Sequence, residues 1–322
     1  MGMPGYSYTL ADELREVKEE KEMMEDVYIA LAIGDGLKRK TDLGEEVVDD
    51  PIRSPLVRET MRIHAEARRK MFIVIDPKFP SAPNTLNDMR KYERLGIAIV
   101  KEQSQVGTGG AQREAICHPF REYDAKVVVH QEPEKVDVAR RWIPYLVEPI
   151  LKEGYQSVVP NRTESSWATY YEFQRRTESR ANDIIARIRA ETIQPYLDEM
   201  VGPTSFSREA ESSVWEYRGT KWDAHMAPHD TIVAKGGKVT HILFDYQHPK
   251  SQVDAEAEDP SFLKKRVDQM VYCVNAILQH HFSLHPSLYD KRPDELKIFE
   301  DLAAQFPIYE DWNEFNSALL GK

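Results

Sequence analysis

The feature that most constrains this chain is a series of short, wholly apolar runs set between helix-length polar segments. Val27 to Ile33 reads VYIALAI, Met71 to Ile75 MFIVI, Ile97 to Val100 IAIV and Lys126 to Val129 KVVV. Each run has strand length and no polar alternation, so both of its faces must be covered. Between them, Leu56 to Lys70 and Thr85 to Leu95 read as helices, the first with Leu56, Val57, Met61 and Ile63 available to a core. Strands alternating with helices predict an α/β fold with a mainly parallel sheet flanked by helices. Ligands on such sheets bind beyond the carboxyl ends of the strands. The informative residues are therefore those just after each run: Gly34 and Asp35, Asp76, the loop at Gly107, and the segment from His130 to Lys135.

Further along, the pattern turns more helical. Trp142 to Leu151 is expected to be a helix with Pro144 and Pro149 at its start or at a kink. Ser157 to Val159 and Val239 to Tyr246 read as strands, Ser165 to Ala190 and Phe262 to Leu284 as long helices. Residues 8–26, rich in Glu and Lys, read as a surface helix. No repeat and no Pro/Gly/Ser linker divides the chain.

Charge and composition narrow the function. Lys plus Arg is 43 and Asp plus Glu is 54, a formal charge of −11. A general duplex-DNA binder needs a basic face, so nucleic acid is not the expected partner, although a local basic pocket for a phosphate-bearing ligand is allowed. No apolar run approaches the ~20 residues of a membrane span, and no secretory signal is expected. Cys117 and Cys273 lie far apart, which excludes a disulfide scaffold and favours a cytoplasmic setting.

Four constellations carry chemistry. Glu132-Pro133-Glu134 follows a strand, and two carboxylates spaced i, i+2 point the same way if the backbone stays extended. Such a pair suits Mg2+ or Mn2+. His248, after the strand ending at Tyr246, would add an imidazole that favours Mn2+. Gly107, Gly109 and Gly110 precede a helix, where backbone N–H groups favour anions. Neither a dinucleotide fingerprint nor a Walker A loop occurs. In WDAHMAPHD, His225 and His229 are four apart, but there is no Glu for a zinc-protease motif and Pro228 spoils its helix; Asp223 or Asp230 would instead orient a hydroxyl or a sugar. Each has a plainer alternative as a solvated pair, a packing histidine, a turn or a cap.

Taken in order, these pieces resemble a nucleotide-sugar glycosyltransferase of the GT-A fold, of the family-two or glucosyl-3-phosphoglycerate synthase and mannosylglycerate synthase type. VYIALAIGD resembles the first nucleotide-binding strand and MFIVIDP the second, where Asp76 takes the place of a nucleoside-contacting acid. VGTGGAQREAI resembles the glycine-bearing segment, and VVVHQEPEKVD stands where the family carries its DxD motif. RRWIPYLVEPILKEGYQSVVPNRT, IQPYLDEMVGPTSFSREA and KWDAHMAPHDTIVAKGGKV, followed by FDYQHP, resemble the later acceptor-side segments. The departures are ExE in place of DxD and Gly34-Asp35-Gly36 in place of a polar Asn-Glu.

The resemblance implies a domain over 27–260, with a nucleotide-binding half (27–135) and an acceptor half (136–260), an N-terminal helical arm (1–26) and a C-terminal helical extension (261–322). It implies a metal-dependent hexosyltransferase that moves a sugar from a nucleoside-diphosphate sugar to a small or polar acceptor hydroxyl. The metal, Mn2+ or Mg2+, would sit on Glu132, Glu134 and His248. Gly34, Asp35, Asp76, Gly107, Gly109, Gly110, Arg113 and Glu132 would hold the donor, and Asp223 or Asp230 would serve the acceptor. A homodimer is possible on this reading. The C-terminal part, with Lys264, Lys265 and Arg266, would cover the acceptor site, make a dimer contact or complete the core. Two other readings stand beside it. One is a sugar-phosphate nucleotidyltransferase, for which Gly34 to Lys40 is a partial match. The other is a non-catalytic nucleotide-sugar-binding protein of the same fold.

Overall fold

The computed structural model describes residues 22–41, 44–76, 80–105, 107–193, 196–257 and 259–289. Most of the expected arm (1–26) and the tail beyond 289 lie outside the described residues.

Seven strands form the main sheet: β1 (Val27–Ile33), β4 (Lys70–Ile75), β5 (Ala98–Glu102), β6 (Val127–His130), β7 (Ser157–Arg162), β8 (Thr204–Ser207) and β9 (Val239–Phe244). Their order is β5-β4-β1-β6-β8-β7-β9. The pairs β5–β4, β4–β1, β1–β6 and β7–β9 are parallel; β8 runs against both neighbours. The fold is therefore α/β with a mainly parallel sheet, as the apolar runs require. All four residues of β6 and six of seven in β1 are buried. Since successive side chains face opposite ways, both faces of the sheet are covered.

The chain winds outward through β4 and β5, then returns to lay β6 on the other side of β1. That reversal leaves the carboxyl ends of β4, β1 and β6 side by side, the place where such sheets open a crevice. The helix Gly107–Glu122 packs against β1, β4 and β6. Pro144 sits in the first turn of the helix Ile143–Glu153, where its missing N–H costs nothing, and Gly154 closes that helix in the left-handed conformation (φ 73°). A second apolar cluster joins the helices Glu172–Ile188 and Pro260–Leu284 through Ile184, Ile185, Met270, Val274 and Ile277.

Three elements depart from expectation. The long helix expected over 165–190 is split into Glu164–Trp167 and Glu172–Ile188. The antiparallel hairpin of β2 (Gly36–Thr41) and β3 (Gly44–Asp49) and the strand β8 were not legible. The hairpin (GLKRKT and GEEVVD) is rich in charge, and three of the four residues of β8 (TSFS) carry hydroxyls; that of Ser205 bonds the Leu146 carbonyl (2.6 Å) rather than standing on an apolar face.

Candidate functional site

A cleft of about 500 Å3 opens at the carboxyl ends of β1, β4 and β6. Gly34, Asp35, Asp76, Glu132, Glu134 and His248 all line it, so six of the expected residues from four distant segments share one wall system. The opposite wall is helical: Gln174 and Glu178 from Glu172–Ile188, Gln252 and Glu256 from Lys250–Ala257, and Lys265, Arg266 and Gln269 from Pro260–Leu284.

Asp35 is buried and already occupied. Its carboxylate accepts from the Ala82 amide (2.9 Å) and the Thr85 hydroxyl (2.6 Å), anchoring the start of the helix Pro83–Arg94. Asp76 is buried at the cleft beside it.

Glu132 to Lys135 does not continue the strand. The Lys135 amide bonds the Glu132 carbonyl (3.0 Å) with Pro133 between them, a tight turn in which proline supplies the fixed φ. The extended backbone that would have aligned the two carboxylates is therefore absent. Glu132 lies against Gly202 (φ 95°), where a Cβ would meet its carboxyl at 2.5 Å, and Lys135 Nζ stands 2.9 Å from its Oε2. Burial disfavours the charged form of Glu132, but the Lys135 ammonium outweighs it and holds the carboxyl below its ordinary range. Glu134 goes the other way: burial pushes its carboxyl up, Arg53 opposes, and Glu132 adds to the rise.

His248 is buried and stacks on Tyr170 with 4.5 Å between ring centroids. Neither ring nitrogen has a hydrogen-bond partner, and Glu256 Oε2, equally unpartnered, stands 3.7 Å from its Nε2. Burial lowers its pKa, against the pull of Glu256, and so disfavours the charged ring.

The expected metal site was tested on these side chains. His248 has the chemistry of a ligand, but no three His, Cys, Asp or Glu side chains gather as a metal-holding group among the described residues. Glu132, moreover, is neutralised by Lys135. Glu132, Glu134 and His248 thus share the cleft without forming one ligand set.

The other expected residues serve packing. Gly109 donates its N–H to the Thr220 carbonyl (3.0 Å), and a Cβ there would meet the Lys221 carbonyl oxygen at 2.6 Å. At Gly107 (φ 80°) a Cβ would meet the Thr220 carbonyl oxygen at 2.4 Å, and at Gly110 it would meet Gln105. These glycines let two backbones touch, while Thr108, Ala111 and Gln112 of the same segment line the cleft. Arg113 bonds Gln105 Oε1 (2.6 Å) and the carbonyls of Tyr217 (2.6 Å) and Gly219 (3.0 Å), stapling the same segment. Asp223 is fully buried and accepts from the Tyr217 hydroxyl. Asp230 pairs with Arg189 (2.7 Å) and His281 (2.8 Å). None of these six lines the cleft.

His225 and His229 do not act together either. His229 bridges the Ser157 hydroxyl (3.0 Å) and Glu199 (2.8 Å). This Ser–His–Glu chain is wholly buried, with no room for a substrate. On the hairpin, Lys38 and Lys40 pair across to Val47 and Glu45 and are exposed away from the cleft, so the partial nucleotidyltransferase match does not build a phosphate loop.

Sequence reasoning does not single out Arg53, Glu178, Glu256 and Gln269, and it reaches Lys135 only as the end of the segment His130 to Lys135. Lys265 and Arg266 had been noted only as a basic run. Their one signal was helical spacing, since Lys265, Arg266 and Gln269 fall on one face three and four residues apart.

No protein-family profile matches the chain, and no curated protein matches it. Solved structures do resemble it distantly. The mannosyltransferase PcManGT from Pyrobaculum calidifontis, in complex with GDP-Man and Mn2+, is 11% identical over 95% of this chain and 92% of its own, at a TM-score of 0.42. TarS of S. aureus (residues 1–349) is 10% identical over 91% and 81%, at 0.42. Rv0371c from Mycobacterium tuberculosis H37Rv is 11% identical over 70% and 90%, at 0.36.

Proposed function

We propose that this chain is a GT-A-type glycosyltransferase that moves a sugar from a nucleoside-diphosphate sugar to a small polar acceptor. One observation carries the reading: a single cleft at the reversal point of a mainly parallel sheet joins carboxylates on the strand-end wall to basic groups on the helical wall. Sugars are read by carboxylates and amides, and diphosphates by cations. The nucleoside end lies by Asp35 and Asp76, with Ala32, Ile33 and Val57 as apolar surface.

In the reaction, the acceptor oxygen bonds the anomeric carbon while the bond from that carbon to the phosphate oxygen breaks. The electron pair stays on the leaving nucleoside diphosphate, and the hydroxyl proton must be taken up. Neither Asp223 nor Asp230 reaches the cleft. Glu132 and Glu178 are held in ion pairs with Lys135 and Arg162. Glu134 has no ion-pair partner among the described residues, and burial raises its pKa above the ordinary carboxylate value, the direction a proton acceptor requires. Glu134 is therefore the group proposed to handle that proton, with His248 and Glu256 offering unpartnered hydrogen-bonding atoms to sugar hydroxyls. The domain limits expected from the resemblance belong to the same proposal. Both cysteines are free and buried, which fits a reducing cytoplasm. No helix of the described residues is long and apolar enough to cross a membrane.

The test is thermal stability against UDP, GDP, ADP, CDP and their common sugars. A bound ligand raises the midpoint by mass action, by about 2.7 kcal/mol at a hundredfold excess over Kd. Stabilisation by one base, with release of that nucleoside diphosphate on addition of acceptors, is the expected result. A folded protein stabilised by none of them would set the reading aside. Release of pyrophosphate instead would favour the nucleotidyltransferase.

A further inference from the structure

The basic groups of the cleft are unequally employed. Lys135 is taken by Glu132. Arg266 gives Nη1 to Glu178 (3.1 Å) and Gln269 (2.9 Å), while its Nε is buried without a partner. Arg53 and Lys265 line the same cleft and have no ion pair among the described residues. These cations act on one another: burial pushes the Lys265 ammonium down to about 8, and Arg53 and Arg266 add to the fall against Glu134 and Glu256. Like charges brought together in a cleft are costly, and Glu134 and Glu256 offset that cost for Lys265 only in part. Arg53 and Lys265, without ion pairs among the described residues, and the unpartnered Arg266 Nε are left to meet an anionic ligand.

The carboxylate side shows the converse. One glutamate of the ExE pair already carries an ammonium, and the turn at Pro133 removes the alignment a shared cation would need. A divalent ion there would also add charge beside Arg53 and Lys265.

We propose that Lys265, Arg53 and the Nε of Arg266 bind the diphosphate of the donor directly, with no divalent cation as intermediary. This rests on the nucleotide-sugar reading above. As the bond from the anomeric carbon to the phosphate oxygen breaks, these fixed cations stabilise the electron pair left on the nucleoside diphosphate, the role a metal plays elsewhere. Glu178 and Gln269 position Arg266 for it.

The experiment measures binding of UDP, GDP, ADP and CDP, and of inorganic pyrophosphate, by calorimetry in excess EDTA and again in Mn2+. The proteins are the full chain, Lys265→Ala, Lys265→Arg and Arg53→Ala, each checked by its melting curve. One nucleoside diphosphate is expected to bind in EDTA, with Kd raised about tenfold or more in Lys265→Ala and largely restored in Lys265→Arg. Arg53→Ala weakens binding in the same direction and serves if Lys265→Ala does not fold. Binding that requires Mn2+ overturns the inference and leaves the glycosyltransferase reading in place. Binding in EDTA that both alanine variants leave unchanged also overturns it. No binding under either condition overturns both.

Discussion

On the proposed reading, Lys265 trades stability for ligand affinity. Its folded pKa, about 8, lies below the ordinary value for lysine. Keeping it charged therefore costs folding free energy below about pH 8, and that cost fades as the pH rises above it. Burial is the main cause; Arg53 from the helix Arg53–Glu66 and Arg266 on its own helix add to it, and Glu134 from the turn after β6 and Glu256 from Lys250–Ala257 oppose it. A diphosphate needs the charged form, so its affinity is expected to fall as pH rises through about 8, measured by calorimetry across that range. Lys265→Met should leave the unliganded melting temperature unchanged or higher while weakening the ligand. Asp35 is a contrasting case. Its carboxylate is spent on Ala82 and Thr85, so Asp35→Ala should lose about 1–3 kcal/mol in denaturant unfolding, the price of two unmet buried donors.

At the scale of elements, the glycine-bearing helix start shows what pattern reading does and does not deliver. The helix was legible from Gly107 onward because glycines and a change of periodicity mark its start. Its purpose was not, because an anion cradle and a close backbone contact call for the same residue. The structure separates them through the segment 219–221, whose approach no local sequence encodes. Gly109→Ala should cost about 1–3 kcal/mol of stability, because its Cβ would press on the Lys221 and Gly219 carbonyls. The remaining folded protein should bind nucleotide as before, and a phosphate cradle predicts the opposite. The apolar strands were legible because burial on both faces leaves an unbroken run. The hairpin of β2 and β3 and the strand β8 were not, because their pairing is decided by partners far away in sequence.

For the whole molecule, ion pairs buried between layers decide how the helical wall meets the sheet. Arg162, at the end of β7, binds Asp198 (2.6 Å) and Glu178 (2.5 Å). Arg189 binds Asp230 and Glu199. Asp230, expected to serve an acceptor, is a structural counter-ion, and its carboxyl stays at about 2: burial works against this, and Arg189 prevails. Its share of stability is present above the ordinary carboxylate pKa and lost only as pH falls through about 2. Arg189→Ala removes the guanidinium shared by two buried carboxylates, leaving Asp230 only His281 and Glu199 only His229, and should cost about 3–5 kcal/mol, seen as a large drop in melting temperature. A charged pair far apart in sequence has no periodic signature, so neither the Arg189–Asp230 pair nor the Arg162–Glu178 pair is legible in the sequence.

The cleft is assembled from residues 32–135 on one side and, on the other, from the helices that carry Gln174, Glu178 and residues 252–269. On a ribosome, the sheet ends emerge long before the helix Pro260–Leu284 that faces them. A nascent chain stalled before that helix would carry the strand-end carboxylates and lack Lys265 and Arg266. On the proposed reading, nucleotide capture waits until that helix has been made and has docked.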